Sequence, residues 1–208
     1  MPSRKLPRSF YARETLTVAR KLLGLHLVHF TSGRRRVGRI VETEAYRGPK
    51  DLAAHSSRGR TKRTEVMFGP PGHAYVYLIY GVWECFNVVA AADGVPHAVL
   101  IRALEPIEGV DQTTHGPGLL CRAMGIDRSL HGEDLTGGEL WIETPADYRK
   151  PRVARTTRIG VDYAGIWAKK PGRFLDRDSP YVSTVTAAAR RKALRDGRLG
   201  VGPQLLDR

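Results

Sequence analysis

The sequence predicts one α+β domain built mainly on strands. Short alternating or apolar runs recur along the chain, while helical periodicity is confined to a few segments. A chain of 208 residues with no repeats, no low-complexity tract and no evident linker suits a single domain, residues 1–208.

Each element has its own signal. Residues 1–12 read as a flexible basic arm. Across 13–23 the apolar positions Leu16, Ala19, Leu22 and Leu23 fall at helical spacing, and Gly24 is a natural stop. Residues 25–30 read as a strand and Thr31-Ser32-Gly33 as a turn. Arg34-Arg35-Arg36 then reads as a solvated hairpin tip leading into Val41-Glu42-Thr43-Glu44-Ala45-Tyr46. In an extended chain this run puts Glu42, Glu44 and Tyr46 on one face and Val41, Thr43 and Ala45 on the other. Residues 48–72 form a polar loop carrying Arg58, Arg60, Lys62 and Arg63. The runs 75–80 and 83–90 read as a hairpin with Tyr80 near its tip, and 99–104 as a further strand. Beyond Gly116-Pro117-Gly118, residues 119–124 suggest a short helix, 140–143 a strand and 150–158 a basic connector. Residues 184–194 suggest a terminal helix, with 195–208 a frayed tail.

Composition narrows the function. Thirty-four Lys and Arg against 21 Asp and Glu give a net charge of +13, so a polyanion is the expected partner. Cys85 and Cys121 lack the paired spacing of a zinc site, and nothing calls for a disulfide. No apolar run approaches the ~20 residues that span a bilayer. The basic N-terminus has no hydrophobic stretch behind it, unlike a signal peptide. The expectation is a soluble intracellular protein with no membrane partner.

Acids and aromatics gathered on strand faces suit a pocket that holds a flat ring and performs chemistry beside it. A hydrolase of that kind needs a carboxylate to take a proton from water, a cation or amide to position the water, and aromatic faces for the ring. Glu44 and Glu42 offer the first and Arg102 the second, while Tyr46, Tyr77 and His55 offer the third. Each has a plainer reading: exposed strand acids, a buried ion pair, a surface histidine and cross-strand packing.

Taken together, the residues resemble a known family. The Val41–Tyr46 run, Ala54-His55-Ser56, Tyr75-Val76-Tyr77-Leu78-Ile79-Tyr80-Gly81, Asn87 and Arg102-Ala103-Leu104-Glu105-Pro106 are similar to the alkyladenine (3-methyladenine) DNA glycosylases. The resemblance resumes at Gly116-Pro117-Gly118, Arg158-Ile159-Gly160-Val161, Trp167-Ala168, Lys170-Pro171, Arg173-Phe174 and Ser179-Pro180-Tyr181-Val182-Ser183. It implies a single compact domain with a curved, mainly antiparallel sheet, a protruding β-hairpin and flanking helices. It further implies a monofunctional glycosylase, active without cofactor or metal, that removes damaged purines from double-stranded DNA as a monomer. In that picture Glu44 is the general base, and Arg102 and the main-chain carbonyl of Ile159 help hold the water. Tyr46, His55 and Tyr77 line the pocket, Asn87 screens the purine by opposing a 2-amino group, and Tyr80 fills the gap left by the extruded nucleotide. The chain departs from the family pattern at His115, where asparagine is frequent, and at Leu119, where a basic residue is common.

Two rival readings remain at this stage. One is a non-catalytic damage-binding protein that keeps the wedge. The other is a basic RNA-binding domain whose tyrosines stack unpaired bases, with no need for Glu44.

Overall fold

The computed structural model describes residues 3–183, so the expected helix at 184–194 and the tail at 195–208 lie outside the described residues. The elements in chain order are β1 (Arg4–Lys5), α1 (Arg8–Tyr11), α2 (Thr15–Leu22), β2 (His26–Thr31), β3 (Arg34–Arg47), β4 (Ala74–Ile79), β5 (Trp83–Ala90), β6 (His97–Glu108), α3 (Pro117–Met124), β7 (Leu140–Thr144), β8 (Val153–Thr157) and β9 (Pro171–Asp176). The strands form one sheet in the order β1-β7-β2-β3-β6-β5-β4, with β9 added to β3 and β8 to β9. The pairings are antiparallel throughout. Together these elements make the single compact α+β domain that the sequence predicts.

Helix α2 forms where its periodicity says it should. The Glu14 carboxylate caps it by accepting from the amides of Leu16 (3.0 Å) and Thr17 (2.8 Å), and Arg20 and Lys21 fall in its last turn. Thr15, Val18, Ala19 and Leu22 are buried, one stripe at 3.6-residue spacing. Gly24 follows at φ +84°, a conformation that a side chain disfavours. Thr43 Oγ1 donates to the carbonyl of Ala19 (2.9 Å), tying the helix to β3.

The opening residues are not an arm. They supply β1, which pairs with β7, and α1, and they bury Leu6, Phe10 and Tyr11 in the main core. Basic residues at 4, 5 and 8 masked the apolar ones between and after them. The basic connector also contains a strand, β8, which pairs with β9. The arginine run is only partly solvated, because Arg35 bridges Glu108 and Glu143.

Strand β3 is the centre of the sheet. It pairs with β6 along almost its whole length, and its other edge is shared by β2 at residues 34–39 and β9 at residues 42–44. Its ladder with β6 contains three irregularities, one at Val37/Gly38 and two close together further on. Val41 has no counterpart between the pairs Ile40–Leu104 and Glu42–Ala103, and Arg102 has none between Ala103–Glu42 and Ile101–Thr43. An extra residue on each strand in turn re-aims the side chains locally. Strict alternation would put Ile40 and Ala45 on opposite faces, yet both lie in the main core. Val41 instead joins Ala103 and Val182 in a separate cluster, which corrects the simple face assignment of the Val41–Tyr46 run.

The two faces of the sheet have different tasks. Ala74, Val76, Phe86, Val88, Val99 and Ile101 point into the main core, which also contains α2 and α3 residues. The intervening positions, Tyr75, Tyr77, Cys85, Asn87, Leu100 and Arg102, line a cavity. Period-two alternation thus separates structure from site. If the N-terminal segment belongs to the core, Phe10→Ala will cost about 3–5 kcal/mol of stability in urea unfolding; a dispensable arm would leave the midpoint unchanged.

Candidate active site

The cavity has a volume of about 490 Å³. Its floor is the sheet, including Tyr46, Tyr75, Tyr77, Cys85, Asn87 and Arg102. Ala53, His55 and Met67 come from the 48–72 loop, Gly116 to Leu119 from the start of α3, and Ile159, Gly160, Val161 and Tyr163 from the segment after β8. Tyr80 also lines it and is 86% exposed.

The β4–β5 hairpin presents Tyr80 through a tight turn. Val82 N–H donates to Ile79 O (3.2 Å), with Tyr80 at φ 53° and Gly81 at φ 70°, the arrangement of a type I′ turn. Glycine and asparagine favour such positions, so an exposed tyrosine at positive φ is a costly choice that stability alone does not explain. Trp83, the first β5 residue after the turn, packs so closely on α3 that a Cβ on Gly118 would lie 2.7 Å from its ring.

Glu42 and Glu44 both have no exposed surface, although as strand acids they could have faced solvent. Arg102, displaced by its bulge, serves both. Its Nε donates to Glu42 Oε1 (3.1 Å) and its Nη1 to Glu44 Oε2 (3.3 Å). Glu44 also accepts from Tyr46 OH at Oε2 (2.7 Å) and from Ile159 N–H at Oε1 (2.8 Å). The three donors come from residues that line the cavity, so Glu44 lies directly beneath its floor. An ionised carboxylate offers about four lone-pair sites, and three donors leave one for a further hydrogen bond. Glu42 is more fully engaged: it also accepts from Arg173 Nη1 (2.9 Å), Ser183 Oγ (2.9 Å) and Ser183 N–H (2.6 Å).

A profile of the methylpurine-DNA glycosylase family matches residues 9–180. The chain belongs to this family. It is a DNA glycosylase, and DNA is its substrate. Three relatives carry the name "Putative 3-methyladenine DNA glycosylase". One from Anaeromyxobacter dehalogenans is 58% identical over 182 residues, covering 86% of each chain. One from Myxococcus xanthus is 54% identical over 189 residues, 90% of this chain and 97% of the relative. One from Legionella pneumophila is 53% identical over 180 residues, 86% and 98% respectively.

Electrostatically, the glycosylase keeps its pocket rings neutral around the charged pair. Burial pushes the Tyr46 hydroxyl well above its ordinary value, with Glu44 adding to the shift, and burial does the same to Tyr77. His55 is depressed to about 4 by burial and by Arg63 and Arg58, so its ring is neutral near pH 7. Its Nδ1 is 2.8 Å from Tyr75 OH, and its ring meets Tyr77 edge-on at 4.5 Å. Burial lifts the Cys85 thiol to about 11, which keeps it a thiol rather than a thiolate. Burial also opposes the charge on Arg102, but Glu44 and then Glu42 outweigh it and raise its value above that of an ordinary arginine.

The sequence-predicted residues Glu44, Arg102, Ile159, Tyr46, His55, Tyr77, Asn87 and Tyr80 all come together at or just beneath one cavity. Two have contacts that the expectation did not include. Ile159 is tied to the centre by its N–H rather than its carbonyl. Asn87 directs Nδ2 to the carbonyls of Tyr75 (3.0 Å) and Cys85 (3.4 Å), which leaves Oδ1 as the atom it can offer to a ligand. Arg58, Arg60, Lys62 and Arg63 are exposed as expected, and Arg63 lies 5.8 Å from the centre of the Tyr77 ring.

Sequence reasoning missed the support. Arg158, read as part of a basic connector, is buried and forked onto Asp51 (2.5 and 2.9 Å). It also donates to Ala45 O (3.0 Å) and Trp167 O (3.1 Å) and lies over the Tyr46 ring at 4.8 Å. This pair fastens the 48–72 loop and the segment carrying Ile159 to β3. Burial alone would raise the Asp51 carboxyl, but Arg158 and the amides of Arg47 and Ala53 hold it below its ordinary value. Its stabilisation is therefore complete above the unfolded carboxyl value of about 3.9 and is lost as pH falls through the lower folded value. Asp51→Ala strands a buried guanidinium, so urea unfolding at pH 7 should show a loss of about 3–5 kcal/mol; an exposed pair would lose under about 1 kcal/mol.

Proposed function

We propose that this glycosylase hydrolyses the N-glycosidic bond of alkylated or deaminated purines in double-stranded DNA, within base-excision repair. The substrate class is that of 3-methyladenine, 7-methylguanine, hypoxanthine and ethenoadenine. The carrying observation is a buried carboxylate with one acceptor site to spare beneath a cavity walled by neutral aromatic rings. The names of the relatives from Anaeromyxobacter, Myxococcus and Legionella support the 3-methyladenine part of that class.

In this reading the nucleotide must leave the stack, because water and a carboxylate cannot both reach a glycosidic bond inside the duplex. Flipping costs a few kcal/mol, about what unstacking and unpairing require. Tyr80 offsets part of that cost by entering the gap, as wedge residues do elsewhere. The flipped base packs against Tyr46, His55 and Tyr77, and Asn87 opposes a purine 2-amino group. The C1′–N bond then breaks, its electron pair leaves with the base, and the sugar passes through an oxocarbenium-like state. Glu44 takes a proton from the attacking water and its charge stabilises the cation. Arg102 and the main-chain carbonyl of Ile159 help hold the water. An N3- or N7-alkylated purine already carries positive charge and departs neutral. Hypoxanthine must gain a proton to leave well, so the enzyme discriminates partly by leaving-group chemistry. Strand cleavage is not part of the reaction, since no lysine adduct is needed. Duplex DNA as partner places the enzyme inside the cell, and one chain supplies every group the reaction uses.

Release of free base from a duplex holding one hypoxanthine, and from methylated DNA, tests the reading. Glu44→Gln should lower single-turnover release by about 10²–10⁴-fold, the usual worth of a general base, while binding to the damaged duplex persists. Tight binding without release by the wild-type enzyme would favour the non-catalytic binder. Full activity in the variant would remove Glu44 from the chemistry.

A further inference from the structure

We infer that Glu42 is a positioning residue that keeps Glu44 usable as a base by competing with it for the buried arginines. The inference rests on the role proposed for Glu44. A guanidinium facing a lone carboxylate tends to form two parallel hydrogen bonds. Here Arg102 gives Nε to Glu42 and Nη1 to Glu44, a single bond to each. A two-pronged bond to Glu44 would occupy the acceptor site that a water needs. The bulge at Arg102 lets one side chain reach both acids, and Glu42 is what holds its second prong away.

Charge points the same way. Glu42, Glu44, Arg102 and Arg173 form a compact buried set with two charges of each sign. Arg173 is the β9 partner of Glu44 in the ladder, yet its Nη1 donates to Glu42 (2.9 Å) and its Nε to Thr156 Oγ1 (2.8 Å). Glu42 therefore draws a second cation to itself. Ser183 seals the arrangement from the far end of the described chain, giving both its N–H and its hydroxyl to Glu42 and lying 3.4 Å from Arg102 Nη2. The other groups around Glu44 are Tyr46 on its own strand, Tyr77 on β4 and Arg158 after β8. Without Glu42, Glu44 would be the one carboxylate among Arg102, Arg173 and Arg158 not already committed elsewhere. A base so over-satisfied takes a proton poorly.

The test is the pH profile of single-turnover release from hypoxanthine duplex, below the melting temperature of every variant. Glu42→Gln should slow release by about 10²-fold at pH 7, the cost of a small misplacement at a reacting centre. Affinity for the damaged duplex should hold. The acid limb should move to lower pH, because protonating Glu44 would add to an already positive cluster. Arg173→Gln should move the limb to higher pH, although Arg173 makes no hydrogen bond to Glu44. It serves as the independent test should Glu42→Gln not fold. The double variant should return the limb to its wild-type position. Loss of rate with an unmoved limb in both single variants would reduce Glu42 to scaffolding and overturn the inference, as would a wild-type rate in Glu42→Gln. A fully active Glu44→Gln, run alongside, would instead defeat the glycosidic mechanism itself.

Discussion

Two buried carboxylates sharing one arginine are the constraint on which the rest of the fold turns. Taking a carboxylate out of water costs several kcal/mol, and partners repay that only when they are correctly placed. Arg102 is correctly placed because a bulge on β6 frees it from the ladder, and the bulge at Val41 restores the register on the other side. Strand β9 must then lie against β3 to bring Arg173 to Glu42, and the chain after β9 must return to bring Ser183. The segment after β8 must close over the cavity to give Ile159 N–H to Glu44, which the Asp51–Arg158 pair secures. Each of these placements is long-range in sequence, and each ends at the same two acids.

Around that centre the sheet divides its labour by side-chain parity. Odd-numbered positions on β4 and β5 and even-numbered ones on β6 build the cavity, while their neighbours build the core against the helices. The cavity side is aromatic and neutral, with the charge confined to the floor beneath it. A flat, electron-poor purine suits such walls, and a positively charged sugar intermediate suits such a floor. The hairpin carries two of these strands along the cavity and ends in Tyr80, which lines it at positive φ and is almost wholly exposed. The strain at that turn is local, since its base is clamped by Trp83 against α3.

Much of this was legible in the sequence because it depends on local pattern. The alternation in β4 and β5, the helical stripe of α2 and the turn at Tyr80-Gly81 follow from neighbours a few residues apart. That Glu44, Arg102, Ile159, Tyr46, His55, Tyr77, Asn87 and Tyr80 would meet in one place was legible through motif order, which stands in for contacts the pattern cannot show. What escaped depends on distant partners. Asp51 looks like any loop acid, and Arg158 like any surface base, until 107 residues of separation close to 2.5 Å. Glu42 was legible as a strand acid on the face of Glu44, but no local signal reports that Arg173 and Ser183 are its partners. Leu6, Phe10 and Tyr11 were hidden among basic residues whose charge suggested an arm. The bulges at Val41 and Arg102 carry no glycine or proline that would have announced them.

To take a proton from water, Glu44 must enter the reaction as a carboxylate, although it is buried beneath the cavity with no exposed surface. Infrared difference spectroscopy between the wild-type enzyme and Glu44→Gln at neutral pH reads that state directly. The variant should lose a carboxylate stretching band and leave the protonated-carboxyl region unchanged. Loss of a protonated-carboxyl band instead would mean that Glu44 enters the reaction already carrying the proton it is supposed to take.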